Sequence, residues 1–292
     1  MRYAFWPGCV SRGACPELDQ SIGKVADRLG LELIELKEAS CTGAGVLSEQ
    51  NPELADTLNA RTFAMAEKLG LPLMNICSTC QGVMSRVNHK LANDSAYLAH
   101  INETLAEEGL HYSGGLEIKN FLWVLVEDVG LEKLRSMVTR PLAGLRVAPF
   151  YGCYILRPSQ ELGYGDRPER GQYLEQVIAA LGAEPVDFRG KTRCCGFPIV
   201  TMNRRNSLSM AGDHLMEAKG NGADAMVTPC PLCHLNLDAQ QPNASKIKGR
   251  AIELPILHLP QLVGLAMGVR SEEMRLNRHV VPTEKALMQV RA

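Results

Sequence analysis

Residues 228–233 read Thr-Pro-Cys-Pro-Leu-Cys, and residues 77–80 carry the same Cys-x-x-Cys spacing as Cys-Ser-Thr-Cys. The chain has ten cysteines, and three cysteine positions recur with a constant offset of 153 residues. The recurring pairs are Cys41 and Cys194, Cys77 and Cys230, and Cys80 and Cys233. A repeat that keeps its cysteines in register over this distance indicates two related halves, each with one thiolate site.

Three further cysteines show how the two halves differ. Cys9 has a looser counterpart in Cys153, 144 positions later, and both follow a glycine. The second half has an additional cysteine, Cys195, and the constant offset places Thr42 at the equivalent position of the first half. Cys15 alone lies outside the pattern. The sequence therefore predicts two similar sites, one of them altered.

Composition excludes several classes of protein. The 292 residues are 46% hydrophobic with a net charge of −1, which is typical of a folded domain and gives no reason to expect nucleic acid or an anionic membrane as a partner. The first residues do not resemble a signal peptide, and no run of about 18 apolar residues predicts a membrane span. We therefore expect a cytoplasmic protein, in which clustered cysteines bind metal or react more often than they form disulfides.

Short apolar segments alternate with longer stretches of helical periodicity. The predicted strands are residues 2–6, 33–36, 73–76, 146–151, 184–188, 225–228 and 252–256. The predicted helices are residues 17–29, 52–69, 79–108, 120–137, 167–181, 204–221, 232–239 and 259–267. This alternation predicts an α/β fold of two pseudo-symmetric halves, each with a small, mainly parallel sheet flanked by helices.

Three regions follow from this pattern. Residues 1–140 form a first cysteine-rich domain that ends in a helical connector, and an Arg-Pro pair at 140–141 breaks that helix. Residues 141–270 form the second cysteine-rich domain, and residues 271–292 form a charged tail. In each domain the cysteines follow strands or open helices, so they converge where parallel strands end and helix N-termini favour thiolates.

The number of thiols limits what each half can bind. The first half offers Cys9, Cys41, Cys77 and Cys80, which suit either a 4Fe-4S cubane or tetrahedral zinc. The second half offers five thiols, one more than either centre requires. The extra adjacent thiol indicates either a spare redox cysteine or a larger, irregular cluster. Thr42 is too hard a donor to count as a ligand for a soft metal.

The repeated Gly-Cys, Cys-Cys-Gly and Cys-x-x-Cys segments resemble the paired CCG domains in the family of heterodisulfide reductase B subunits. The resemblance extends from residue 1 to about residue 268 and is most specific in the second half. The supporting segments are residues 6–9, 151–154, 193–198, 228–233 and 255–259.

The resemblance implies a noncubane 4Fe-4S cluster on each complete motif, at which a disulfide is cleaved or formed. It also implies a C-type iron–sulfur partner subunit and, in many assemblies, a flavin-bearing A-type subunit. Carried over by position, the noncubane cluster ligands, which are also the predicted catalytic residues, are Cys153, Cys194, Cys195, Cys230 and Cys233.

Thr42 departs from the complete motif, and we therefore predict a regular cubane, with zinc as the alternative, on the four first-half cysteines. This asymmetric pattern is similar to B subunits of sulfur-oxidising heterodisulfide reductase-like complexes, which implies carrier-bound sulfur and a lipoate-binding protein. A second hypothesis is a non-catalytic electron-transfer subunit that links a succinate- or fumarate-type flavoprotein to a quinone or thiol pool. A third is a zinc-stabilised scaffold.

Four other residues receive weaker predictions. Cys15 is expected to be a thiol without function. His234, next to Cys233, either donates a proton or makes a hydrogen bond that orders its loop. His258 is expected to belong to C-terminal packing, and His214 is expected to be a solvated or helix-surface residue.

Overall fold

The computed structural model describes residues 1–290 and contains two four-stranded sheets in which every neighbouring pair of strands is parallel. The first sheet has the order β2-β1-β3-β4, and the second has the order β6-β5-β7-β8. The strands are β1 (Arg2–Trp6), β2 (Glu32–Glu35), β3 (Leu73–Asn75), β4 (Ile118–Asn120), β5 (Arg146–Pro149), β6 (Glu184–Pro185), β7 (Ala225–Thr228) and β8 (Ile256–His258). The predicted α/β fold with two similar halves is confirmed.

Helices cover both sheets. The α-helices are α1 (Cys9–Gly13), α2 (Pro16–Leu29), α3 (Val46–Gln50), α4 (Pro52–Lys68), α5 (Ser78–Asn93), α6 (Ser95–Leu105), α7 (Phe121–Trp123), α8 (Leu131–Ser136), α9 (Tyr173–Ala180), α10 (Arg204–Gly220), α11 (Pro231–His234), α12 (Gln241–Lys248), α13 (Leu259–Ala266) and α14 (Glu284–Leu287). Two π-helical turns, Val124–Val129 and Leu235–Ala239, extend α7 and α11.

Sequence and structure differ in several elements, three of which are as follows. The predicted helix 79–108 is two helices, because Asp94 ends α5 and caps α6 by accepting a bond from the Tyr97 N–H at 2.9 Å. The predicted strand 252–256 is wrong, since β8 begins at Ile256. Strand β4 was missed inside the predicted connector, because three residues are too few to show a period of two.

The two halves share one hydrophobic core. Tyr3 of β1 and Val147 of β5 belong to the same buried cluster. Helix α2 packs against α13 so closely that a Cβ atom on Gly264 would lie 3.2 Å from Val25. Because the sheets are joined through common packing, the ends of their strands are held in one arrangement. The division at residue 140 stays a prediction.

Residues 271–290 pack against both halves. Met274 is fully buried, and the Arg278 Nε donates to Glu17 Oε2 of α2 at 3.0 Å. The Val280 N–H donates to Asp238 Oδ2 at 2.8 Å. Within residues 1–290, no helix has the length and apolar content needed to cross a membrane.

Candidate cysteine-rich redox site

The Cys-x-x-Cys segments occupy the same position in both halves. Cys77 follows β3 and caps α5, and Cys80 lies in the first turn of that helix. Cys230 and Cys233 take the same places between β7 and α11. In each half, both thiols therefore stand at a strand end and a helix N-terminus, where backbone N–H groups stabilise negative charge.

The two sites contact each other through their innermost thiols. Cys77 Sγ lies 4.0 Å from Cys230 Sγ, and the Ser78 N–H donates to the Pro229 carbonyl at 3.1 Å. From Cys77 the contacts continue to Cys80, and from Cys230 they continue to Cys233. The structure thus brings the two predicted sets of cysteines into one continuous group.

The outer ends of this group are also paired. Cys9 Sγ lies 3.6 Å from Cys41 Sγ in the first half. In the second half Cys194 lies within hydrogen-bonding reach of both Cys153 and Cys195, and Cys195 reaches Cys233. All nine predicted cysteines are brought together, whereas Cys15 is not one of this set.

Burial changes along the group. Cys77 and Cys230 are 3% and 1% exposed, whereas Cys9 and Cys41 are exposed to solvent. Cys194, like its neighbour Cys153, is half-buried. The group is therefore exposed at Cys9 and Cys41, half-buried at Cys153 and Cys194, and buried where Cys77 meets Cys230.

Cys41 in the first half and Cys194 in the second half both have a lowered pKa. Hydrogen bonding from Cys9, with further help from the backbone N–H groups of Gly43 and Thr42, lowers the pKa of Cys41 to about 6. Hydrogen bonds from Cys153 and Cys195 lower the pKa of Cys194 far below that of a free thiol. A lowered pKa favours the thiolate, which is the form of cysteine that binds metal.

Two threonines contact cysteine sulfurs, and sequence reasoning identified neither contact. Thr42, which is 2% exposed, points its Oγ1 at Cys80 Sγ at 3.8 Å. The Thr79 Oγ1 lies 3.5 Å from Cys230 Sγ, across the boundary between the halves. A hydroxyl at this position donates to a thiolate and stabilises its charge. The contact of Thr79 could not be predicted from the sequence, because Cys230 belongs to the other repeat.

A glycine permits close approach in the second half. Gly152 has φ of +71°, and a Cβ atom there would lie 2.9 Å from Cys233 Sγ. Gly8 holds the equivalent position, with φ of +85° and a corresponding distance of 3.8 Å to Cys80 Sγ. Both turns need the left-handed backbone that glycine adopts readily, and the second also needs the missing side chain.

A buried amide network supports the first-half loop. Asn75 Oδ1 accepts from the Cys77 N–H at 3.3 Å and from Asn120 Nδ2 at 3.1 Å. Asn75 Nδ2 donates to Gln81 Oε1 at 2.7 Å, and Gln81 Nε2 donates to the Ile118 carbonyl at 3.1 Å. This network connects β3, β4 and α5 and so fixes where Cys77 lies relative to its sheet.

His214 was predicted to be a solvated or helix-surface residue, but the structure packs it against the cysteine site. It is half-buried, its Nε2 lies 2.9 Å from the Cys194 carbonyl oxygen, and its ring packs 5.5 Å from that of Phe150. His214 therefore holds the loop that carries Cys194. No spacing pattern could reveal it, because α10 reaches this loop only in the folded chain.

The thiol groups match the needs of iron–sulfur clusters. Four thiols converge in the first half, and the hydroxyl of Thr42 takes the place of a fifth. Five converge in the second half, where the N–H groups of Gly196 and Phe197 point at Cys194 and Cys195 at 3.4 Å and 3.5 Å. Such N–H groups stabilise sulfur ligands of a cluster.

Comparison with known proteins agrees with this arrangement. Residues 3–85 and 147–238 match the family described as cysteine-rich domain, CCG. Over 283 residues the chain is 38% identical to the 8-methylmenaquinol:fumarate reductase membrane anchor subunit of Wolinella succinogenes, covering 97% of this chain and 98% of that subunit.

Two archaeal relatives are also similar over most of their length. The chain is 29% identical over 292 residues to the B subunit of the ferredoxin/F(420)H(2)-dependent CoB-CoM heterodisulfide reductase of Methanosarcina acetivorans, covering 99% and 97% of the two chains. It is 30% identical over 279 residues to a protein of Archaeoglobus profundus named as like the heterodisulfide reductase B subunit, covering 94% and 93%.

A solved structure shares the fold. The crystal structure of a hypothetical protein from Helicobacter pylori superposes with a TM-score of 0.75 at 17% identity, over 96% of this chain. The chain spans 52% of the length of that protein.

Proposed function

The chain belongs to the family of heterodisulfide reductase B subunits, with a CCG domain in each half, and from this membership we propose that it is an iron–sulfur redox subunit of a larger oxidoreductase complex. Its relatives are named as subunits of reductases, which supports partner subunits for this chain as well.

Two different clusters fit the two thiol sets. Four thiolates in the first half would hold a 4Fe-4S cubane, and five in the second half would hold a noncubane 4Fe-4S cluster. Bound in this way, iron–sulfur clusters accept and release single electrons. The threonine hydroxyl at position 42 excludes a fifth thiolate from the first half.

Electron transfer is the function that the geometry supports best. The observation that carries it is the 4.0 Å separation between Cys77 Sγ and Cys230 Sγ in a buried contact between the halves. If clusters are bound on these two thiol sets, the buried contact between Cys77 and Cys230 would let electrons pass between the halves without crossing solvent. Cys9 is exposed to solvent and Cys194 is half-buried, so each half has a thiol that a partner could approach.

The partners are proposed from the relative that is 38% identical. It is a subunit of an 8-methylmenaquinol:fumarate reductase, so we propose that this chain passes electrons between a quinol and a fumarate- or succinate-type flavoprotein. This is the second of the hypotheses drawn from the sequence. The proposed relay joins a donor that releases two electrons to centres that carry one each.

Sulfur chemistry is the second candidate. Cys153 and Cys194 of the complete five-thiol set are half-buried, so a small disulfide or carrier-bound sulfur could reach them. Two relatives named for heterodisulfide reductase favour it. In that case a C-type iron–sulfur subunit and a flavin-bearing A-type subunit would be the partners, with a lipoate-binding protein as sulfur carrier.

The cluster content is tested first. The protein is purified anaerobically from iron-57 medium and studied by low-temperature Mössbauer spectroscopy with metal analysis. We expect two inequivalent four-iron clusters, one cubane-like and one with unusual iron sites. Zinc in place of the first cluster would remove the internal relay, and protein without iron even after reconstitution would overturn the redox function.

The electron partner is tested by stopped-flow absorption of the cluster bands. Protein reduced with dithionite is mixed either with a methylated naphthoquinone or with a mixed disulfide of two small thiols. Rapid reoxidation by the quinone alone would support the relay to a quinol pool. Reoxidation by the disulfide alone would support the sulfur chemistry in its place.

A further inference from the structure

A second group of metal-binding side chains lies outside the nine-cysteine site. Its members are Cys15, Glu17, His234 and His258, and one ligand atom of each lies within 4.8 Å of the others. None of the four is more than 5% exposed. They come from three distant parts of the chain, namely the start of α2, the end of α11 and the end of β8.

The equivalent position in the first half is filled differently. Gln81 precedes His234 by the 153-residue offset, and Asn75 precedes Thr228 by the same offset. Asn120 and His258 correspond as the last residues of β4 and β8. In the first half these amide side chains form hydrogen bonds with one another. Asn75 Nδ2 donates to Gln81 Oε1 at 2.7 Å, and Asn120 Nδ2 donates to Asn75 Oδ1 at 3.1 Å.

In the second half, the equivalent side chains form no hydrogen bonds with one another. Among residues 1–290, no hydrogen-bond partner is found for Thr228 Oγ1, His234 Nδ1 or His258 Nδ1, although all three atoms are buried. A buried polar atom without a partner is destabilising, because it has given up its hydrogen bonds to water. Each of the two imidazoles thus keeps one nitrogen without a partner, and the other nitrogen of His258, Nε2, lies 3.4 Å from Glu17 Oε1 within the same group.

We propose that Cys15, Glu17, His234 and His258 form a zinc site, distinct from the iron–sulfur ligands. One thiolate, one carboxylate and two imidazoles are all donors that Zn²⁺ accepts, and four is its usual number of ligands. Calcium and magnesium prefer oxygen donors only. The thiolate and the carboxylate balance the double charge of the ion, so the complex is neutral overall and suits a buried position.

Neighbouring residues orient these ligands. His279 Nδ1 lies 3.1 Å from His234 Nε2, and the Arg278 Nε donates to Glu17 Oε2 at 3.0 Å. The rings of His234 and His258 are stacked with centroids 3.8 Å apart, so one of them must turn out of the stack when both bind one ion. Partners of this kind commonly fix the orientation of metal ligands.

The position of the site defines its role. Cys15 and Glu17 belong to the first half. In the second half, His234 directly follows Cys233, and His258 is the last residue of β8. Zinc undergoes no redox change. The ion would thus join α2 to the wall of the second-half cysteine site without exchanging electrons.

The test uses the iron-loaded protein, washed with a chelator, so that the nine cluster cysteines are occupied. Zinc is measured by mass spectrometry, and its neighbours are measured by X-ray absorption. We expect about one zinc ion per chain, bound by one sulfur at about 2.3 Å and three nitrogen or oxygen atoms. The variants are Cys15→Ala and Glu17→Gln, and the control is Ser21→Ala, a buried change one turn further along α2.

Zinc occupancy should fall at least tenfold in Cys15→Ala and in Glu17→Gln and remain in Ser21→Ala, while iron content stays equal in all. A zinc ion with four sulfur neighbours would place it in the first-half thiol set and overturn the proposal. Washed protein without zinc, or zinc retained in both variants, would overturn it too. Iron content is read separately, so loss of the iron–sulfur function is distinguishable from loss of this site.

Discussion

The hydroxyl of Thr79, in the first repeat, lies 3.5 Å from the sulfur of Cys230, in the second repeat. The position equivalent to Thr79 in the second half is Leu232, which has no hydroxyl. A contact of this kind therefore acts on the second-half site alone. It makes the two halves electrostatically unequal, in addition to the difference between Thr42 and Cys195.

Replacing Thr79 should change the potential of the second-half cluster. Hydrogen bonds to cluster sulfurs stabilise the reduced, more negative state. A bond of about 1 kcal/mol corresponds to about 40 mV for a one-electron couple. Thr79→Val should lower the potential by tens of millivolts in a redox titration followed by electron paramagnetic resonance. Thr79→Ser should keep it, and equal potentials in both variants would show that the hydroxyl has no influence.

Thr42→Cys should restore the symmetry of the two sites. Thr42 is buried with its Oγ1 3.8 Å from Cys80 Sγ, so a thiol there would join the four present. We expect the cubane-like component of the Mössbauer spectrum to be replaced by a second component with unusual iron sites. Thr42→Val removes the hydroxyl without adding a thiol and should leave the cubane-like component in place. Identical spectra of wild type and Thr42→Cys would contradict the prediction.

Gly82→Ala should destabilise the contact between the halves. A Cβ atom at Gly82 would lie 2.4 Å from the Tyr154 carbonyl oxygen, which belongs to the second half. Overpacking of this kind costs about 1–3 kcal/mol. The control is Gly23→Ala in α2, where no atom lies within 4 Å and alanine should add about 0.5–1 kcal/mol. Urea unfolding of the anaerobic protein should shift in opposite directions, and two equal shifts would contradict this packing.

His279 should make stability depend on pH. Burial lowers the pKa of His279 from 6.5 to about 4, so the fold favours the neutral ring. The neutral ring of His279 therefore adds to the free energy of unfolding above pH 6.5. This added stability is lost as the pH falls through about 4, and the loss is at most about 3 kcal/mol. His279→Asn should flatten this part of the curve of unfolding free energy against pH. A difference between the two proteins that stays constant from pH 7 to pH 4 would show that His279 does not titrate in this range.

The local signals of the chain predicted most of the fold. The bounds of β1 and β7 were predicted to the residue, because apolar runs of four or five residues beside a long helix are clear signals. Strand β4 was missed because it has three residues and leads directly into a helix, for which Asn120 supplies the cap at 3.0 Å from the Leu122 N–H. A prediction from periodicity fails when a strand or helix has too few residues to repeat its pattern of buried and exposed positions.

The sequence alone determined which cysteines belong together and that one thiol is replaced by Thr42, because a register that recurs after 153 residues is visible in one dimension. Only the tertiary structure decided that Cys77 touches Cys230, that Thr79 serves the other repeat, and that Cys15 and Glu17 meet His234 and His258. These contacts depend on how two separately encoded sheets pack around a common core. No local pattern in the chain specifies that packing, since it arises from burying the apolar faces of both halves at once.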